Sequence, residues 1–297
     1  MDSVKTKTKK IRSESERSYW GSVFFRLRKN KMAVAGIVVL IVVVLGCIIV
    51  PMVSPYDIYT TNTANSELSP NREHLFGTDQ LGRDLFVRFF YAGRISLGLA
   101  LVVTLLQCAL GVILGGISGF YGKFADTIIM RLCEIFMSLP FLMICITVVA
   151  LFGSSIPTLI GVLVILSWPS ITRVVRGQIL TLRELEYMQA CEALGISDFK
   201  RIFRHLLPNV LAYVIVYATL GMASVILTET ALSFLGLGVS PPTPTWGTMI
   251  QAARNPVILQ QRWWYWIPPG LGIFISVMCF NLVGDGMRDA IDPKMKR

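Results

Sequence analysis

The sequence predicts an all-α integral membrane protein with six transmembrane helices. Three observations carry that expectation. Of the 297 residues, 54% are hydrophobic and only 15% are charged. The mean hydropathy is +0.61. The apolar residues fall in long blocks rather than at amphipathic spacing. A block of about 20 such residues, rising about 1.5 Å each, crosses a hydrocarbon core of about 30 Å. A composition this apolar is outside the range of ordinary soluble domains.

The spans are justified in order. The tail 1–31 has ten Lys/Arg against three acidic residues and reads as a stop-transfer cluster, interfacial from Trp20 to Leu27. Met32–Val53 is uncharged and too long for a signal-peptide core, with no small-residue cleavage site after it. An extracytoplasmic segment 54–94 follows, in which TDQLGRDLF reads as a turn into an amphipathic helix. The second span, Ile95–Phe120, is uncharged and glycine-rich. The third, Thr127–Phe152, contains Arg131, Glu134 and Pro140, and the fourth, Ile156–Thr172, is short and carries Pro169. The fifth, Val210–Leu237, contains Glu229, and the sixth, Trp266–Val283, follows the aromatic run WWYW. Spans two to six form a core over 95–285, and 286–297 is a second tail.

Charge placement orients the bundle. With the N-terminus inside, six spans return the C-terminus inside. The inner side then holds ten basic residues in the tail, two at 123–131, six from 173 to 204 and four after 287. Six of the 28 lie outside: Arg72, Arg83, Arg88, Arg94, Arg254 and Arg262. Enrichment of Lys/Arg in short cytoplasmic loops is the expected bias, and WWYW falls where an outer aromatic belt belongs. The net charge of +10 is therefore a topology signal and no argument for nucleic acid. Neither outer segment, 54–94 or 238–265, contains a cysteine, so no extracellular disulfide is available, and the six cysteines match no metal-site spacing.

One polar stretch breaks the pattern. QACEALGISDFKRIFRHLLPN, 189–209, lies between spans four and five on the inner side. Tyr187–Leu194 favours helix, Gly195 breaks it, Ser197 is a natural N-cap for a second helix starting at Asp198, and Pro208 closes the unit before span five. The expectation is two short helices folded on each other over 187–208, presented to a soluble partner.

This stretch resembles the EAA signature of ATP-binding-cassette (ABC) transporter permeases, E-A-A, three residues, G, nine residues, I-x-L-P. Ala190, Gly195, Leu207 and Pro208 match, whereas Gln189, Cys191 and His205 depart from it. Glu192 could restore the charge lost at Gln189. FGTDQLGRDLFVRFFYAGRISL (76–97), ALSFLGLGVSPPTPTWGTMI (231–250) and NLVGDGMRDAIDPKMKR (281–297) resemble the peptide/nickel permease family. The arrangement is similar to the shorter of the two paired permeases in dipeptide and oligopeptide importers. The resemblance implies a type I ABC importer permease fold in a bacterial cytoplasmic membrane, with both termini cytoplasmic. It implies a heterodimer with a longer permease, two ABC ATPases and an extracytoplasmic substrate-binding protein. The loop residues Gln189, Ala190, Glu192, Ala193, Leu194, Gly195, Ile196, Ser197, Asp198, Leu207 and Pro208 become the coupling element seated on an ATPase.

The chain lacks the parts that hydrolyse ATP. A phosphate-binding loop needs G-x-x-x-x-G-K-[ST]. At the nearest approach, Gly122-Lys123, position 117 is Ile and Phe124 follows the Lys. ATP and Mg²⁺ therefore belong to partner ATPase subunits. No catalytic triad or paired-carboxylate site is present, and no cofactor or metal is expected on this non-catalytic subunit.

Charges inside spans are the remaining candidates, since an unpaired charge at mid-bilayer costs roughly 2.5–3.5 kcal/mol on insertion scales. Arg131 and Glu134, three apart, read as a mutually satisfied intramembrane pair packing the helix. Pathway lining and a buried hydrogen bond both fit Glu229. Asp285, Arg288 and Asp289 flank the end of span six as helix-end charges or a gate contact. Gly111, Gly115 and Gly119 recur every four residues, a packing seam facing either its own bundle or a sister subunit. The expected cargo is a di- or oligopeptide, with nickel, a metal chelate or glutathione as alternatives. A self-sufficient secondary transporter would need inverted repeats, and no clear repeat is found.

Overall fold

The computed structural model describes residues 19–291. Most of both expected tails, 1–18 and 292–297, together with the end of the 281–297 motif, lies outside the described residues. The helices in chain order are α1 (Tyr19–Lys29), α2 (Lys31–Val53), α3 (Leu85–Tyr121), α4 (Lys123–Ser138), α5 (Phe141–Phe152) and α6 (Ile156–Arg183). They are followed by α7 (Glu186–Ala193), α8 (Asp198–Phe234), α9 (Trp246–Gln251), α10 (Pro256–Gln261) and α11 (Ile267–Ile291). No strand occurs among the described residues, which hold only an isolated bridge between Thr78 and Asp84.

Five helices, α2, α3, α6, α8 and α11, are long and apolar enough to span a membrane, and α4 with α5 make a sixth if counted as one broken span. That break corrects the expected third span. The two halves meet at 84°, with Leu139 extended (φ −75°, ψ 134°) before Pro140. A proline crowds the residue before it out of the helical region, so a single straight helix cannot pass this point. Backbone that leaves the helix at membrane depth is tolerated where protein or water faces it.

Other boundaries also move. The second span begins at Leu85 rather than 95 and runs 37 residues, about 55 Å at 1.5 Å per residue. Asp84 caps it by accepting from the Val87 amide at 2.9 Å, so the turn and lead-in expected for TDQLGRDLF continue straight into the span. Pro169 does not end α6, which continues to Arg183.

The core is built on α3 against α6. A Cβ on Gly111 would lie 2.4 Å from Ile171, one on Gly115 2.6 Å from the Thr172 carbonyl oxygen, and one on Gly119 2.9 Å from Ile179. Only glycine admits this approach, so the seam faces the chain's own bundle. Around it, α2 packs on α3 and α11, while α8 packs on α11, α3 and α6. Along α2 only Ala33, Gly36 and Cys47 are buried; Ile37 and Val43 pack against the bundle, and most of its other valines and isoleucines are exposed. The amphipathic α1 lies across one end, with Val23 and Leu27 against Ala212, Ala290 and Ile291.

The two ends of the bundle differ. At the cap end, 54–84 and 236–265 fold over the helices. Trp246 is fully buried, stacks on Phe89 and donates from Nε1 to the Phe89 carbonyl at 3.0 Å. Glu67 pairs with Arg262, joining the two segments. The Tyr59 amide, with the hydroxyl and amide of Thr60, holds the exposed Asp57 carboxyl below the usual carboxylate range. At the knob end lie α7, the start of α8, and the loops joining α3 to α4 and α6 to α7.

Candidate functional site

The knob is a helical hairpin whose bend is set by one residue. α7 ends at Ala193, and Gly195 sits at φ +69°. The Ile196 amide then reaches the Cys191 carbonyl at 3.0 Å, and the Gly195 amide reaches that of Glu192 at 2.9 Å. This paired bonding is the Schellman motif, which needs a left-handed residue where the chain turns. Ser197 stands at the start of the next helix, in extended backbone, as its sequence suggests, but its side chain makes no capping bond.

The second half departs from expectation. Pro208 does not close the unit, because α8 runs unbroken from Asp198 into the fifth span. A π-type turn over Arg201–Leu206 accommodates it, with the Leu207 amide bonding the Ile202 carbonyl. An interior proline removes one helical donor and crowds the carbonyl four residues back, and a widened turn relieves both. The Asn209 side chain donates to the His205 carbonyl at 2.7 Å within the same turn.

One face of the knob is rooted in the bundle. Met188 and Leu206 are fully buried with Ile171, Val175, Ile179 and Val210. Arg201 ties the two helices, pairing with Glu192 at 2.7 Å and Asp198 at 3.2 Å and lying 5.3 Å over the Phe120 ring. Glu192 thus supplies a charge where Gln189, bonded to the Glu184 carbonyl at 3.1 Å, cannot. The other face is open. Leu194 is 79% exposed, and Phe199 and Phe203 stand 4.4 Å apart at 68% and 53%. Ala193, Ser197 and Pro208 are exposed beside them. Three large apolar side chains gathered at the tip of a polar loop mark an interaction surface.

The intramembrane candidates separate. Glu229 is 1% exposed, and its Oε1 accepts from Ser233 Oγ at 2.7 Å and Thr245 Oγ1 at 2.8 Å. It tethers α8 to the cap segment before α9 and reaches no open surface, so the geometry fits the buried hydrogen bond rather than pathway lining. Arg131 and Glu134 pair at 2.8 Å as expected, but their side chains are 75% and 52% exposed. The expectation that this pair packs the helix is corrected: Ile129 and Cys133 turn inward against Trp168, and the ion pair faces away. Asp285, Arg288 and Asp289 are exposed in the last turns of α11 and form no ion pair among the described residues.

Sequence reasoning missed one polar junction. Asp126 accepts from Arg176 at 2.5 and 2.6 Å and from Ser118 Oγ at 2.5 Å, binding the ends of α3 and α4 to α6. The partners lie 50 positions apart, and no periodicity signals such a pairing.

Known proteins similar to this chain identify the family to which such a helical membrane bundle belongs. Residues 111–297 match the family described as binding-protein-dependent transport system inner membrane component. The chain belongs to that family. Residues 18–70 match the N-terminal transmembrane domain of oligopeptide transport permease C. The permease is 39% identical over 285 residues to the oligopeptide transport system permease protein of Bacillus subtilis strain 168, covering 96% of this chain and 93% of that one. It is 38% identical over 280 residues to the dipeptide transport system permease protein of the same organism, covering 94% and 87%. The glutathione transport system permease protein of Pectobacterium atrosepticum is 37% identical over 289 residues, covering 96% and 95%.

Proposed function

We propose that this chain is one of two permease subunits of an ATP-driven importer, that it carries di- or oligopeptides delivered by a soluble binding protein, and that its knob seats an ATPase subunit. The observation that carries the reading is the knob itself, rigidly rooted through Met188 and Leu206 while Leu194, Phe199 and Phe203 stand free. A rooted, apolar tip is suited to transmit movement from a partner into α6 and α8, the two helices it connects. Two relatives at 38–39% identity bear peptide-transport names, which favours that cargo. One relative is named for glutathione, itself a small peptide.

A second, longer permease completes the pathway. The ion pair Arg131–Glu134 lies on α4, opposite the face that Ile129 and Cys133 pack on Trp168, and turns away from the bundle. Charges within a span require protein or water, not lipid. The excess of Lys/Arg on one side of the spans supports a cytoplasmic knob and cytoplasmic termini. ATP and Mg²⁺ bind to the ATPase subunits, and this chain contributes coupling and the path, not hydrolysis.

Cysteines introduced singly at Leu194 and Phe199 test the reading. Each should crosslink to an ATPase subunit in native membranes with a short bifunctional thiol reagent. Failure of both to crosslink, with the ATPases present and assembled, would contradict it.

A further inference from the structure

A cavity of about 320 Å³ opens at the cap end, between the turn Asp79–Arg83, the start of α3 and the segment 241–252. Its lining includes Asp79, Arg83, Arg88, Gln251 and Tyr265. The Asp79 carboxylate is already engaged: Oδ1 accepts from the Leu81 and Arg83 amides, and Oδ2 from Arg83 Nε at 2.7 Å. Arg88 lies 3.8 Å from the same carboxylate and donates to the Ile58 carbonyl at 2.8 Å. Two guanidiniums therefore share one carboxylate, leaving an excess positive charge and unused N–H groups. Tyr265 is 4% exposed, and its hydroxyl has no hydrogen-bond partner among the described residues. A buried hydroxyl without an acceptor is costly, and a carboxylate would satisfy it together with the guanidiniums.

We infer that this cavity receives an acidic side chain, aspartate or glutamate, of the soluble binding protein when it docks on the cap. The inference rests on the importer reading above, which puts the cap outside the membrane and requires such a protein there. The cavity is made from both outer segments and lies above the helices, so docking there would grip a cap whose two segments Glu67–Arg262 joins and which Glu229–Thr245 ties to the bundle. A free carboxylate fills only a small part of this volume, whereas a side chain presented from a protein surface brings its neighbours with it.

The test is the affinity of the binding protein for the complete importer in nanodiscs, measured by biolayer interferometry. Arg83→Gln should weaken docking about tenfold or more, as truncation of one partner in a buried charge pair does. Tyr265→Phe should weaken it about three- to tenfold. That variant removes only an oxygen without a partner among the described residues, so folding is not at issue. N-acetyl-glutamate methylamide in excess should compete, and its glutamine counterpart should not. Unchanged affinity in both variants overturns the inference while leaving the importer intact. Competition by Ala-Ala alone also overturns it, because the carboxylate would then be that of the transported peptide. If no binding protein docks on the wild-type importer, the inference and the reading beneath it fall together.

Discussion

Gly195→Val should weaken seating of the ATPase without removing the bundle from the membrane. At φ +69°, a left-handed conformation costs an L-residue roughly 1–2 kcal/mol, and for a β-branched side chain it is a true outlier. A Cβ at this position meets nothing within 4 Å among the described residues, so the internal cost is backbone strain alone. Either the bend holds and an isopropyl group projects into the partner's groove, where overpacking costs about 1–3 kcal/mol, or the bend relaxes. In the second case the 3.0 Å bond from Ile196 to Cys191 is lost and the tip moves. Both routes lower docking by about tenfold or more, since each 1.4 kcal/mol is a factor of ten. The order of effect should be Asn, then Ala, then Val, because asparagine tolerates the left-handed region best. Co-purification of ATPase subunits with each variant, alongside membrane abundance and peptide uptake, reads the outcome. Wild-type binding and uptake in Gly195→Val would refute the argument that this bend shapes a docking element.

The remaining expectations concern the bundle. Glu229→Gln keeps an acceptor for Ser233 and Thr245 and should retain near-wild-type abundance and uptake, whereas Glu229→Leu strands two hydroxyls at about 1–3 kcal/mol each and should lower abundance on immunoblots of membranes. A selective loss of uptake in the glutamine variant, with assembly intact, would return Glu229 to the pathway. Gly115→Val should abolish accumulation, because its Cβ would meet the Thr172 carbonyl at 2.6 Å, backbone that cannot step aside; normal accumulation would mean that the α3–α6 seam is misplaced. In a cysteine-free background, Thr61→Cys and Gln260→Cys should react with an impermeant thiol reagent on intact cells and Ser197→Cys should not; external labelling at 197 would invert the topology.

What the sequence made legible follows from which forces are local. Uncharged length marks a span whatever its neighbours, so α2 was expected to within a residue. Gly195 could be assigned to a bend because glycine at a helix end is a local device. Pro140 and Pro208 show the limit. Each breaks the same rule of helix hydrogen bonding, yet one bends its span by 84° and the other is absorbed by a π-type turn. The choice depends on what packs around each, which a linear pattern does not contain. Pairings between distant positions, such as Asp126 with Arg176, were invisible for the same reason. Glu229 was recognisable as a buried charge, but its acceptor role required Thr245, which lies in a loop beyond the span.

The most direct test of the central claim is reconstitution. Proteoliposomes holding this chain, the second permease and both ATPases should accumulate a labelled dipeptide only when binding protein is added outside and ATP is enclosed. Omitting this chain should abolish uptake. Accumulation by this chain alone, without ATP and driven by an ion gradient, would contradict the account.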